Sequence, residues 1–400
     1  MLQREKALSM QDRKHGGDIY GSLPVKTDFS ANLNPLGMPE QIRQALIASV
    51  DRVQPYPDPL CRSLASRASR ALDIPGDNLV FGNGSCDLLY RLALCLRPRR
   101  VLIAGPAFSE YERACRLAGA EIFFAPASPE DSFCPNAEAL AGTIREKGPD
   151  LVLIASPSNP AGTILADAEL ALLTETCRTQ GSRLLLDLCF FSFTDRWHRF
   201  YQAGLLRDRP HLILLDSFTK IYAMAGVRFG YAATGDKVLA GRLRDILQPW
   251  PLSRPAVEAG QAGFSLMETG SFQKKTAVYV AGERERLASS LREQGFRVFP
   301  SRANYLLFRT EDRRLTEIIR QGGTDRVAGP GRTVMGEAMA HKGYPIRECG
   351  NYRGLDNSYF RLAVRTKEEN AACMAALCEV MRRWANGGPP PGSGERKGEK

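Results

Sequence analysis

The chain has 400 residues, 44% hydrophobic and 24% charged, with a formal net charge of +10. That is enough apolar sequence for a large core and too much chain for one small domain, so a larger and a smaller domain are expected. The positive balance suits an anionic partner, but the cations are scattered and no basic stripe is interleaved with aromatics, so small anionic ligands are expected and nucleic acid is not.

The 10 cysteines form no paired CxxC arrangement, so no metal site is expected. The opening "MLQREKALSMQDRKHGG" lacks the apolar region of a secretory signal, and no window offers the uncharged apolar run of a membrane span. A cytoplasmic protein with reduced thiols and no membrane partner is expected.

Short apolar runs bounded by turn residues recur along the chain. One ends near Val80; the others are "RRVLIAG" (99–105), "AEIFFAP" (120–126), "DLVLIAS" (150–156), "RLLLDL" (183–188), "HLILLDS" (211–217) and "FGYAAT" (229–234). Helical patterns at 109–118, 136–147 and 165–179 separate several of them. Strands alternating with helices predict an α/β domain whose mostly parallel sheet is covered on both faces. One long helical stretch is predicted from about 236 to 295, followed by runs at 296–301, 304–310, 344–349 and 359–365 and a last helix at 366–385. This reads as a smaller α+β domain. The expected division is an N-terminal segment at 1–37, a large domain at 38–270, a small domain at 271–386 and a disordered Pro/Gly-rich tail at 387–400. The stretch at 311–332 reads as a surface insertion.

In open parallel sheets, ligands bind at the carboxyl ends of the strands. After Val80 comes "FGNGSCD" (81–87), a Gly-rich turn opening a helix, which suits a phosphate or is simply a tight turn. The later runs are followed by Phe108, by Asn159 in "PSNPAG", by Asp187, and by Ser217, Thr219 and Lys220. Singly, each has a plain explanation: core for Phe108, turn chemistry for Asn159, a helix cap for Asp187. Together they have one chemical sense. A lysine amine can form a Schiff base, a carboxylate can keep a pyridine nitrogen protonated, and an aromatic can stack on the ring. Hydroxyls, the Gly-rich turn and an arginine can hold a phosphate. The set describes a pyridoxal 5′-phosphate site.

On these residues the sequence resembles the fold-type I pyridoxal-phosphate enzymes of the aspartate aminotransferase superfamily, over roughly residues 15–385. The resemblance implies a seven-stranded, mostly parallel large domain with a smaller α+β domain. It makes Lys220 the lysine that carries the cofactor, and Arg228, eight residues on, the phosphate clamp. Ser217, Thr219, Gly84, Ser85 and Cys86 would join that clamp. Asp187 would pair with the ring nitrogen, Asn159 with the ring oxygen, and Phe108 would stack on the ring. Tyr56, in "PYPDP", would reach the phosphate of a neighbouring subunit, which implies a homodimer with shared active sites. Two positions depart from the family pattern: "DLCF" (187–190) stands where D-E-A-F is usual, and "NPAG" stands for an NPTG-type turn.

Within the superfamily, "HGGDIYGSLPVKTDFSANLNPLGMP" (15–39) and "IRECGNYRGLDNSYFRLAVR" (346–365) resemble the threonine-phosphate decarboxylases of cobalamin biosynthesis more than the histidinol-phosphate aminotransferases. The first resemblance implies conversion of L-threonine O-3-phosphate to (R)-1-amino-2-propanol O-2-phosphate; serine phosphate and the aminotransferase reaction are the alternatives. Arg361 resembles the arginine for the substrate carboxylate and Arg347 the one for its phosphate. His15 would reach that phosphate as well, or is a surface histidine beside a Gly-Gly turn. Asn32 would lie near the mouth of the site. Arg365 reads equally as a surface cation and as a ligand. Regulatory relatives carry a fused DNA-binding module, for which the roughly 14 residues before the HGG segment are too few.

Overall fold

The computed structural model of the chain describes residues 15–21, 23–198, 205–312, 316–317 and 333–385. The first 14 residues, most of the expected insertion at 311–332 and the expected tail at 387–400 lie outside the described residues. The chain forms two compact units. The larger holds Leu33–Gly282 and Pro300–Asn304; the smaller holds the described residues up to Asn32, Glu283–Phe299, and those from Tyr305 onward.

The larger unit opens with α1 (Glu40–Ser49) and α2 (Arg62–Leu72), which pack against the later helix Arg254–Thr269. It then runs β1 (Leu79–Gly82), α3 (Ser85–Leu96), β2 (Arg100–Gly105), α4 (Ser109–Leu117), β3 (Glu121–Pro126), α5 (Ala137–Lys147) and β4 (Leu151–Ala155). Next come α6 (Asp167–Thr179), β5 (Arg183–Asp187), β6 (Leu212–Ser217), α7 (Phe218–Ile221), β7 (Gly230–Thr234), α8 (Lys237–Asp245) and α9 (Arg254–Thr269). Seven strands make one sheet in the order β1-β7-β6-β5-β4-β2-β3. Strands β6, β5, β4, β2 and β3 pair in parallel, whereas β7 runs antiparallel to both its neighbours.

The apolar runs are continuous because both faces of the sheet are covered. Val101, Ile103, Leu151, Leu153, Leu185, Ile213 and Leu215 pack with Leu88 and Leu92 of α3 and Leu239 and Leu243 of α8. The alternate residues Leu102, Val152, Ile154, Leu184, Leu186, Leu212 and Leu214 point to the opposite face and are equally buried. The helices carry their own start and stop signals. The Asn136 and Asp236 side chains accept the Ala139 and Leu239 N–H groups at 3.0 Å, capping α5 and α8.

The stretch predicted as one helix from about 236 to 295 is three. After α8 the chain turns through Trp250 and Pro251, Ser253 caps α9, and Gly270, at φ +62°, ends it before α10 (Ser271–Glu293). Proline, a capping serine and a left-handed glycine each interrupt the helical ladder, and all three were present in the sequence. The division between the units falls within α10.

The smaller unit carries an antiparallel sheet in the order β10-β11-β9-β8, from β8 (Phe296–Val298), β9 (Tyr305–Thr310), β10 (Arg347–Glu348) and β11 (Tyr359–Ala363). Its helices among the described residues include the last part of α10, from Glu283, together with α11 (Val334–His341) and α12 (Lys367–Ala385). The N-terminal segment is stitched in by backbone: Phe29 donates to Pro345 O at 3.0 Å and accepts from Ala363 N–H at 3.0 Å. No helix among the described residues is long and apolar enough to cross a membrane.

Candidate active site

Strands β2, β4, β5 and β6 end on one edge of the larger sheet, and so does β1, because β7 is antiparallel to both β1 and β6. The register is close: Gly230 pairs with Gly82 on one side and Ser217 on the other. The turns and helix starts that leave these strand ends therefore meet at that edge.

The Gly-rich turn leads into α3 through Gly84, at φ +85°, so the first N–H groups of a 12-residue helix face outward. A Cβ on Gly84 would lie 2.6 Å from the Arg228 guanidinium, and one on Gly230 would lie 2.3 Å from Ser85 N. Arg228 itself is left-handed, at φ +60°, and donates to Ala225 O at 3.1 Å. Arginine and helix start thus form one cationic cradle. Burial pushes the Cys86 thiol up to about 11, so it adds no negative charge there at neutral pH. Gly84→Ala would strain the backbone and push the guanidinium aside, so a loss of pyridoxal-phosphate affinity of at least about tenfold is expected in an absorbance titration. Unchanged affinity would mean that the cradle does not hold the phosphate.

A second cluster joins the ends of β5 and β6 to the same cradle. The Cys189 thiol donates to Ser85 Oγ at 3.2 Å and accepts from the Ser217 hydroxyl at 3.6 Å. The Asp187 carboxyl accepts the Tyr111 hydroxyl at 2.6 Å and the Cys189 N–H at 2.9 Å. Tyr111 also meets Phe108 edge-on, with ring centroids 5.8 Å apart. As a residue Asp187 is half-buried, yet its carboxyl is deep enough that burial raises it above the ordinary 3.8, against the opposing effect of these hydrogen bonds. Both its donors are neutral. A cationic ring N–H would supply the missing charge, so the donor set fits a protonated pyridine.

Lys220 is half-buried on α7, a helix of four residues that is too short to stand alone. Asn34 holds it: its N–H donates to Lys220 O at 3.1 Å, and its Nδ2 to Ile221 O at 2.7 Å and Thr276 Oγ1 at 3.0 Å. Tyr222, just past the end of α7, donates to Gly263 O at 2.8 Å and accepts from Gln273 at 2.7 Å. Asn34, Tyr111 and this Tyr222–Gln273 pair escaped the sequence reading. The signal for Asn34 was faint, one of two asparagines in "SANLNPLG".

The Asn159 turn is closed by a Ser158–Thr163 hydroxyl contact of 2.7 Å and by Gly162 at φ +81°. Pro300–Asn304 packs on it as part of the larger unit: Arg302 N–H donates to Gly162 O at 2.8 Å, and a Cβ on Gly162 would lie 2.1 Å from Ser301 Oγ. Tyr56 is 73% exposed. Its ring stacks on Trp250 at 4.1 Å, in a cavity of about 680 Å³ that Asn83 also lines.

Within the smaller unit, Arg347 and Arg361 are directly opposite one another on β10 and β11, only 6% and 4% exposed. Arg347 donates to Glu348 O and to Asn351 Oδ1, each at 2.7 Å. Arg361 donates to Ser30 O at 2.8 Å and lies over the Tyr305 ring, 5.3 Å from its centroid. The His15 turn is anchored at the same serine: Gly17 N–H donates to Ser30 Oγ at 2.8 Å, and Gly16 has no room for a Cβ beside Ser30 O. His15 is exposed at the start of that turn, whereas Asn32 is buried. Arg365 is an ion-pair partner of Glu369 at 3.5 Å.

A lysine, a buried carboxyl and a cationic helix start share one sheet edge, an arrangement that suits a pyridoxal-phosphate enzyme. Residues 24–375 match the aminotransferase class I and II family, and the chain belongs to it. It is an enzyme of a pyridoxal-phosphate-dependent family. It is 31% identical over 384 residues to the threonine-phosphate decarboxylase of Salmonella typhimurium, covering 94% of this chain and 98% of that protein. It is 31% identical over 354 residues to histidinol-phosphate aminotransferase 2 of Ralstonia nicotianae, covering 87% of each. The crystal structure of the histidinol-phosphate aminotransferase from Clostridium acetobutylicum superposes with a TM-score of 0.76 at 26% identity, covering 89% of this chain and 99% of that one.

Proposed function

We propose that the protein decarboxylates L-threonine O-3-phosphate to (R)-1-amino-2-propanol O-2-phosphate. The observation that carries the reading is the cross-strand pair Arg347–Arg361, with the His15 turn anchored on the serine whose carbonyl takes Arg361. Two adjacent guanidinium groups suit one ligand that brings both a carboxylate and a phosphate. The likeness of the N-terminal and 346–365 segments to threonine-phosphate decarboxylases supports the same choice.

In this reading Arg361 takes the carboxylate, and Arg347 takes the phosphate with His15. Lys220 holds the cofactor, and Arg228, Ser85, Ser217 and Thr219 hold its phosphate. Asn159 meets the ring oxygen and Phe108 the ring face. When bound, pyridoxal phosphate supplies an electron sink for the pair released at Cα as the bond to the carboxylate breaks and CO₂ leaves. Asp187 keeps the ring nitrogen protonated. The freed Lys220 amine, as its ammonium, then returns one proton to Cα as general acid. An aminotransferase would instead remove the Cα proton. The residues needed are nearly the same, and the difference lies in which bond is held in line for cleavage. Threonine and serine phosphates differ by one methyl, a discrimination worth about 1–3 kcal/mol, so turnover of both is expected.

We also propose a homodimer to which Tyr56 contributes. Ile47, Val50, Val53, Tyr56, Leu60 and Trp250 are all exposed on the larger unit, an apolar surface that suits a second copy.

The test incubates the cofactor-loaded protein with L-threonine O-3-phosphate and measures CO₂, beside histidinol phosphate with 2-oxoglutarate and a glutamate assay. CO₂ without glutamate is expected. Glutamate without CO₂ would overturn the decarboxylase in favour of the aminotransferase, a reading kept alive by the equal identity to the Ralstonia enzyme.

A further inference from the structure

The connection between β10 and β11, residues 349–358, returns over the two arginines and touches both through one side chain. Tyr352 is buried, and the turn fixes its backbone: its N–H donates to Cys349 O at 3.0 Å and its carbonyl accepts from Leu355 at 3.1 Å. The Arg347 guanidinium lies over its ring, 5.2 Å from the centroid. Its hydroxyl accepts from Arg361 Nη1 at 3.5 Å. The residue before it, Asn351, accepts from Arg347 Nη2 at 2.7 Å.

Like charges directly opposite on antiparallel strands repel, and long side chains placed so would splay apart. Tyr352 acts on both at once. Its π face attracts one guanidinium, and its hydroxyl oxygen draws on the other. The two contacts use different parts of one rigid side chain with few rotatable bonds, so they fix the separation and tilt of the two cations before any ligand arrives. Preorganisation of this kind is where affinity for a ligand with two anionic ends is gained.

We propose that Tyr352 is a positioning residue that sets the spacing of the Arg347–Arg361 pair, so that the pair reads a carboxylate and a phosphate on one ligand together. The inference rests on the roles proposed above for the two arginines, and the experiment separates the two. L-threonine carries only the carboxylate, and 1-amino-2-propanol O-2-phosphate carries only the phosphate. The affinity of each half-ligand for the cofactor-loaded protein is read from the absorbance change of the bound cofactor, for wild type, Tyr352→Phe, Tyr352→Leu, Arg361→Ala and Arg347→Ala.

Tyr352→Phe removes only the hydroxyl. It is expected to raise the Kd for L-threonine by about three- to tenfold and to leave the phosphate half-ligand within about twofold. Tyr352→Leu removes the ring as well and is expected to weaken the phosphate half-ligand by about tenfold in addition. A merely structural tyrosine would shift both half-ligands together in both variants. That result, or no shift in either variant while each arginine variant loses its own half-ligand, overturns the inference and leaves the arginine roles standing. Wild-type protein that binds neither half-ligand, or arginine variants without arm-specific losses, would overturn the arginine roles and this inference with them. Should the leucine variant fail to fold, the phenylalanine variant decides alone.

Discussion

Lys220→Ala is expected to cut turnover by at least about three orders of magnitude, because in the proposed reaction one amine does two jobs: it carries the cofactor and moves the proton at Cα. The substitution is a useful probe, since the backbone that carries Lys220 is held by other residues. Helix α7 is held by Asn34 through the Lys220 and Ile221 carbonyls, and by Tyr222 through Gly263 and Gln273. None of these bonds uses the lysine amine. Loss of activity, with cofactor-free variant and cofactor-free wild type melting within a few degrees of one another, is therefore the expected pairing. Wild-type protein should be yellow and bleach on borohydride treatment with the cofactor fixed to the chain, whereas Lys220→Ala should not retain cofactor after the same treatment. A variant that still fixes cofactor under borohydride would show that another amine carries it.

How much of this was legible in the sequence depends on whether the determinant was local. The strands of the larger sheet stood out because a strand buried on both faces must be apolar throughout, as in "VLIA" and "LVLIA". The Gly84 turn was legible because a left-handed residue before a helix calls for glycine. Where the fold uses pairs distant in sequence, the reading fell short. Nothing around Asn34 announces that it caps a helix 187 residues away. Arg347 and Arg361 were each recognisable, yet their direct opposition is a matter of register between β10 and β11. The position of Tyr352 between them depends on that register and was equally hidden. Cys189 was visible as a departure from the family pattern. Its thiol contacts with Ser85 and Ser217, which tie β5 and β6 to the start of α3, were not. The three helices read as one are a different kind of miss, because the breaks at Pro251, Ser253 and Gly270 are local signals that the helical periodicity on either side outweighed.

Asp187→Asn should separate stability from activity. Burial raises the Asp187 carboxyl above its ordinary 3.8 in the folded chain. Between 3.8 and that higher value, the folded chain keeps a proton that the unfolded chain has released. Cofactor-free protein therefore loses stability as pH rises through this window, and the deficit persists to neutral pH. Asparagine still offers an oxygen to the Tyr111 hydroxyl or the Cys189 N–H but cannot ionise. The cofactor-free variant is expected to melt above the wild type at pH 7, with the gap closing as pH falls toward 3.8. Catalysis should move the other way. A neutral amide cannot hold a pyridine nitrogen protonated, and the loss of that charge at the developing electron pair is expected to slow turnover by about 10²–10³-fold. Melting curves across pH and a turnover assay on the same preparations test both halves. Equal melting at pH 7 would mean that the carboxyl is not desolvated in the folded protein, and undiminished turnover would remove Asp187 from the ring. If both shifts appear, the carboxyl is kept at a cost to the empty fold because the chemistry needs its charge there, as expected when an active site trades stability for function.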